Sequence, residues 1–189
     1  MLKDSRFTSL EGLAIASLRG TPEESRGLCL HASVEFGRQA RRLGMAGRLS
    51  FVRWHVRDDS DYLEHWALAT ANGRILDMTA AQVDGDPRPL RRVDDYPANY
   101  VRPRLYPAAV VLEVMDGNAP EPGHRYPRRL LWRLHARLFR HDAGAALRAG
   151  SPRALGHAVA AMARCAFALP AGFVLERALA RAVTLSKRL

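Results

Sequence analysis

The sequence predicts an α+β fold, with a helix packed on a small antiparallel sheet and a basic helical extension behind it. Three observations predict it. Leu28, Ala32, Phe36, Ala40 and Leu43 recur at helical spacing. The period then shortens, and Arg48 to Val56 is rich in β-branched and aromatic residues, as a strand is. Beyond residue 127 the pattern returns to helical spacing with a heavy arginine load. The expected division is a core over residues 1–120 and a basic helical extension over 121–189.

The elements follow in order. Ser9 to Arg19 reads as a helix, with Leu10, Leu13, Ala14 and Leu18 on one face and Gly20 as its stop. Thr21-Pro22-Glu23-Glu24 reads as a new start, with Thr21 as cap, Pro22 at the first position and Glu24 closing a capping box. Gly27 interrupts it, since glycine inside a helix costs about 1 kcal/mol relative to alanine. The main helix therefore starts at Leu28 or Cys29 and stops at Gly44. After the Arg48–Val56 strand and a polar loop, His65 to Thr70 and Arg74 to Thr79 read as a hairpin around Ala71-Asn72-Gly73. Val110 to Val114 reads as a further strand. Ala80 to Pro107, studded with proline and charge, reads as a long loop and as the candidate for substrate selection. Pro127 to Arg140, Ser151-Pro152 to Leu169 and Ala171 to Arg188 read as helices.

Charge and cysteine usage bound the function. The chain has 29 Lys and Arg against 19 Asp and Glu, a formal net charge of +10. Such a surplus favours an acidic protein or an anionic membrane surface as partner of the C-terminal helices. No nucleic-acid module accompanies it, which argues against nucleic acid. The same arginines also suit the solvated side of a helix whose apolar face is Leu130, Leu131, Leu134 and Leu138. Cys29 and Cys165, far apart in sequence, do not suggest a disulfide framework, and neither an apolar leader nor a bilayer-length apolar window is evident. The expected location is a reducing cytoplasm.

Chemistry concentrates on three residues. A thiol attacks a carbonyl as thiolate, and the unpaired N–H groups of a helix N-terminus favour an anion. A helix restarting after Gly27 puts Cys29 there, whereas one unbroken from Pro22 would leave it two turns in. His65 is the candidate base and Asp77 the group that would hold its tautomer. Turn geometry decides whether those two meet. A two-residue Asn72-Gly73 turn places them on opposite faces. A three-residue loop with Gly73 left-handed pairs His65 with Thr79 and leaves Asp77 one diagonal step away, about 7–8 Å between backbones. The triad requires the second turn. Trp66 and Trp54 are candidate walls of the substrate pocket, and His55 is the competing base. His31 lies two residues from Cys29, but no ligand pair of zinc-like spacing follows, so neither metal nor other cofactor is expected. Cys165, in an alanine-rich segment, reads as packing.

Gly27-Leu28-Cys29, a helix, a strand, His65-Trp66-Ala67-Leu68 and Ile75-Leu76-Asp77-Met78-Thr79 together resemble the core of the transglutaminase-like superfamily. That resemblance covers roughly residues 20–80. It implies a papain-like fold, with Cys29 as nucleophile, His65 as general base and Asp77 as the orienting acid. The implied activity is acyl transfer from an amide or peptide bond, as peptidase, deamidase or transglutaminase. Met78 stands where the family often has proline, and no side chain matches the oxyanion donor of some relatives. Arg26-Gly27-Leu28-Cys29 and the spacing to His65 and Asp77 also resemble arylamine N-acetyltransferases, although their second glycine before the cysteine and their glycine-rich Asp motif are missing. The reading from another class is a non-catalytic binding module whose basic tail is the working surface.

Overall fold

The computed structural model describes Ser9, Leu10, Gly12, Ala14 and residues 27–57, 62–120 and 125–167. The chain forms two compact units, Met1–Pro127 and Arg128–Leu189. In the first, Leu10, Gly12 and Ala14 are helical, as the early pattern predicts; the rest of that helix and the Thr21–Arg26 start lie outside the described residues.

Helix α1 spans Cys29–Arg42. Gly27 precedes it with φ +72°, a conformation that costs residues with a Cβ and that breaks any helix running in from Pro22. The α1 stripe buries Leu28, Ala32, Phe36 and Ala40, each apolar side chain of leucine or phenylalanine size contributing about 1.5–3 kcal/mol. Its C-terminus closes as a Schellman motif: Met45 N–H donates to Ala40 O at 2.8 Å, Gly44 N–H to Arg41 O at 3.0 Å, and Gly44 is left-handed.

A 3-10 turn at Ala46–Arg48 leads into β1 (Leu49–Arg57), which pairs antiparallel with β2 (Tyr62–Thr70) and sets Trp54 opposite His65. Next come β3 (Ile75–Leu76), α2 (Ala81–Asp84), β4 (Leu90–Arg91), β5 (Tyr100–Pro107) and α3 (Ala108–Met115). The sheet is antiparallel throughout, in the order β4-β3-β2-β1-β5. One face carries Phe51, Leu68 and Tyr106, with the Phe51 ring against α1. A Cβ at Gly37 would stand 3.1 Å from the Phe51 ring and 3.4 Å from Leu112, so glycine there lets α1 approach β1 and α3. The other face is a core of Val52, Trp54, Ala67, Ala69, Ile75 and Tyr96, with Val83 and Tyr100 against it.

Three expectations are corrected. Val110 to Val114 is helix, not strand, because Ala108, Val111, Leu112 and Met115 are buried at helical spacing after Pro107. The Arg74–Thr79 strand shrinks to Ile75–Leu76, because Asp77 turns its carboxylate onto the Thr79 backbone and ends the extended run. The 80–107 stretch is not one loop but carries α2, β4 and the edge strand β5.

In the second unit, α4 (Arg128–Arg148) packs on α5 (Pro152–Phe167). Helix α4 buries Leu130, Leu134 and Leu138 and exposes Arg128, Arg129, Arg133 and Arg140. It runs two turns beyond the expected end at Arg140, because Ala143, Ala145 and Ala146 around Gly144 have the strongest helix preference and offset the glycine's cost. The Ser151 hydroxyl caps α5 by accepting from Ala154 N–H at 3.2 Å. The expected helix over 171–188 lies outside the described residues. Among the described residues no helix is long and apolar enough to cross a membrane.

Candidate active site

Cys29 is the first residue of α1, and the preceding Leu28 offers its N-terminus no side-chain acceptor. The first-turn amides therefore leave their partial positive charge beside the sulfur, with no acidic residue in that turn. Cys29 Sγ lies 3.7 Å from Glu64 O, the carbonyl just before His65 on β2. Glu64 is itself fixed by Arg53 at 3.4 Å and by the Trp66 indole N–H at 3.2 Å.

The hairpin adopts the three-residue loop. Thr70 N–H donates to Arg74 O at 2.8 Å, Gly73 is left-handed at φ +79°, and Leu68 pairs with Leu76. That register brings Asp77 to the His65 side of the sheet, where His65 Nε2 and Asp77 Oδ2 are 2.8 Å apart. Both are buried, His65 at 3% exposure and Asp77 at 0%, with Cys29 at 9%. The Cys29 sulfur lies close enough to the His65 ring to help hold its charge, while Nε2 is committed to Asp77 and Nδ1 faces the Gln82 carboxamide. Cys29, His65 and Asp77 are thus brought together in one buried cluster. The imidazole on Asp77 is His65, not His55, which sits across from Glu64.

The Asp77 carboxylate receives four donors. His65 Nε2–H and the Tyr96 hydroxyl at 2.8 Å reach Oδ2, while Thr79 N–H at 2.9 Å and Thr79 Oγ1–H at 3.0 Å reach Oδ1. Burial opposes its charge, but the His65 ring and these donors hold Asp77 below the usual carboxylate range. Burial likewise opposes a charged His65, yet Asp77, aided by the Cys29 sulfur, pushes the ring up to about 10. Burial, then Asp77, raises the Tyr96 phenol well above its ordinary value, so it remains a donor. Tyr96 stacks on Trp54 with centroids 4.3 Å apart and lies under the Arg91 guanidinium, which grips Asp84 at 2.7 and 2.8 Å.

Folding stability then depends on pH through this pair. The His65 contribution is complete below about pH 6.5 and is lost as pH rises through about 10. The Asp77 contribution is complete above its free value of 3.8 and lost as pH falls towards its lower folded value. The pair stabilises most between those free values. Urea unfolding of wild type and Asp77→Asn from pH 3 to 10.5 should give curves furthest apart near pH 5–6 and converging at both ends; a pH-independent gap would contradict it.

Trp54 lies behind His65, ring centroids 5.7 Å apart, and backs the imidazole. Trp66 is the other candidate wall. Adjacent strand residues alternate, so it faces away from His65, packs under Arg53 and supports Glu64. Sequence reasoning missed Tyr96, Thr79, Gln82 and Tyr100. Asp77-x-Thr79 carried a usable signal, the Asx-turn pattern; Tyr96 and Tyr100 carried none, since their contacts are tertiary. Gln82 Nε2 stands 2.9 Å from Thr79 Oγ1 and 3.2 Å from His65 Nδ1. His31 Nδ1 lies 3.4 Å from the Tyr126 hydroxyl, and no cluster of three or more His, Cys, Asp or Glu among the described residues is arranged to hold a metal ion. Cys165 falls on α5.

No protein-family model matches this chain, and neither curated proteins nor solved structures show significant similarity to it.

Proposed function

We propose that this chain is a cysteine-dependent acyl-transfer enzyme of the transglutaminase-like, papain-like kind, acting on an amide or peptide bond. The observation that carries the reading is the buried 2.8 Å pair of His65 and Asp77 meeting a cysteine at the first position of a helix. Each member has a role that its surroundings favour. Cys29 Sγ, as thiolate, forms a bond to the substrate carbonyl carbon, whose oxygen takes up the negative charge. The amides at the start of α1 supply donors for that charge. Collapse breaks the C–N bond while His65 Nδ1–H gives its proton to the leaving amine. Water or an amine then attacks the thioester, passes its proton to Nδ1, and releases Cys29 as thiolate. Asp77 stays ionised throughout, holding Nε2–H and leaving Nδ1 for chemistry. Water yields a peptidase or deamidase, and an amine acceptor a transferase.

An activated ester tests the reading without knowledge of the natural substrate. Exposed briefly to p-nitrophenyl acetate and quenched in acid, wild type should carry an acetyl group on the Cys29 peptide, and Cys29→Ala should release nitrophenolate no faster than buffer. Equal release by both proteins would contradict it. The exposed arginine face of α4 favours a second role beside catalysis, docking of an acidic protein or anionic surface. In a purely non-catalytic module that docking would survive Cys29→Ala with no change in biological function.

A further inference from the structure

Gln82 touches the imidazole at the nitrogen used for proton transfer. It sits in the short helix α2, half-buried, with its carboxamide 3.2 Å from His65 Nδ1 and 2.9 Å from Thr79 Oγ1. Thr79 Oγ1 in turn reaches Asp77 Oδ1, and Asp77 Oδ2 reaches His65 Nε2, so the four side chains close a ring. The polarity of that ring depends on the charge of the imidazole. When His65 is neutral, Nδ1 is an acceptor. Gln82 NH2 then donates to Nδ1 and to Thr79 Oγ1, and the Thr79 hydroxyl donates to Asp77. When His65 is an imidazolium, Nδ1–H is a donor and an NH2 facing it would be repelled. Turning the carboxamide over puts Oε1 in the same place, where it accepts from Nδ1–H. The Thr79 hydroxyl can swing from Asp77 to that oxygen, because Asp77 Oδ1 keeps the Thr79 backbone N–H. A carboxamide carries donor and acceptor on one arm, nearly equal in shape.

We propose that Gln82 is a positioning residue whose carboxamide turns over with the charge of His65, keeping the ring hydrogen-bonded and in place through both halves of the acyl-transfer cycle. In the first half the ring must be charged to protonate the leaving amine; in the second it must be neutral to take the proton of water. The catalytic meaning rests on the proposed acyl-transfer reading, whereas the swap itself does not. The other groups around the ring are Asp77 after β3, Cys29 on α1, Tyr96 before β5, Tyr100 on β5 and Glu64 beside it on β2. Arg91 on β4 stands behind Tyr96, with Asp84 of α2 gripped by it.

The test is a titration of the His65 ring nitrogens by ¹⁵N NMR in full-length protein, with the signals assigned by comparison with His65→Gln. Gln82→Glu, an isosteric acceptor without donors, should raise the midpoint of imidazolium loss by about one pH unit or more. Gln82→Met, which can do neither, should leave the midpoint within about 0.3 unit of wild type, because the carboxamide serves both states alike. A rise with methionine as large as with glutamate would overturn the proposal, since it would mean that Gln82 is a fixed donor locked by Thr79. No shift with glutamate would overturn it too. With p-nitrophenyl acetate, Gln82→Glu, once acylated, should hold the acetyl group about ten-fold longer than wild type, for want of a neutral ring; release at the wild-type rate would contradict the catalytic half. If Cys29 of wild type is never acylated, the acyl-transfer reading fails by itself, and the titration still decides the swap.

Discussion

Asp77→Ala is expected to be the most damaging single substitution in the first unit, costing about 3–5 kcal/mol as the loss of one partner from a buried ion pair does. The reason is what it leaves behind. His65 would remain at 3% exposure without the carboxylate that pushes it up to about 10, and the Tyr96 hydroxyl and Thr79 Oγ1 would both lose their acceptor. Each orphaned buried donor costs about 1–3 kcal/mol if no water reaches it, although these losses overlap. Against a typical domain stability of about 5–15 kcal/mol the loss is a large fraction of the whole. Asp77→Asn separates fold from chemistry. It keeps the shape of the carboxylate but presents an NH2 to two of its four donors, so it should be the milder change in stability. Its acylation rate should still fall by about 10³–10⁴-fold, the scale on which a triad loses its tautomer control. Urea denaturation gives the first quantity and burst kinetics the second. A loss of less than about 1 kcal/mol in Asp77→Ala would mean that the carboxylate is not the partner that makes a buried His65 tolerable.

The parts of this site that sequence discloses are those set by local backbone chemistry. Gly27 can break a helix and Cys29 follows it, so the position of the thiol was readable. Asn72-Gly73 with a residue before it allows a three-residue loop, and that loop alone fixes the register that joins His65 to Asp77. The α+β class and the antiparallel sheet follow from the same period changes. What stayed hidden depends on distant partners. Strand β5 reads Tyr-Val-Arg-Pro-Arg-Leu-Tyr-Pro, an edge strand with two prolines and a weak alternation, and it forms because β1 pairs with it. The segment Val110-Val111-Leu112 has strand-like residues, yet α1 and the sheet offer it one apolar face, and the helical period wins. Tyr96 approaches Asp77 from 19 residues away, a contact no local pattern encodes. Gln82 was within reach, three residues after Thr79 and on the same turn of chain, but its meaning appears only once His65 stands beside it.

The second large effect concerns the thiol itself. Cys29 is nearly buried, so its absolute reactivity depends on access, but access is shared by wild type and a variant altered only at His65. The ratio of their rates therefore isolates the imidazole. In wild type the sulfur sits at a helix start beside the His65 ring. In His65→Ala the helix remains and the imidazole is gone. The decisive measurement is the rate of Cys29 alkylation by iodoacetamide from pH 4 to 9, mapped by mass spectrometry to distinguish Cys29 from Cys165. A wild-type rate that persists well below about pH 8.5, where free thiols ionise, and falls at least about ten-fold at pH 6 in His65→Ala is the expected result. Slow labelling of both proteins at pH 6, rising in parallel only as the pH approaches that of a free thiol, would contradict a catalytic Cys29–His65–Asp77 triad.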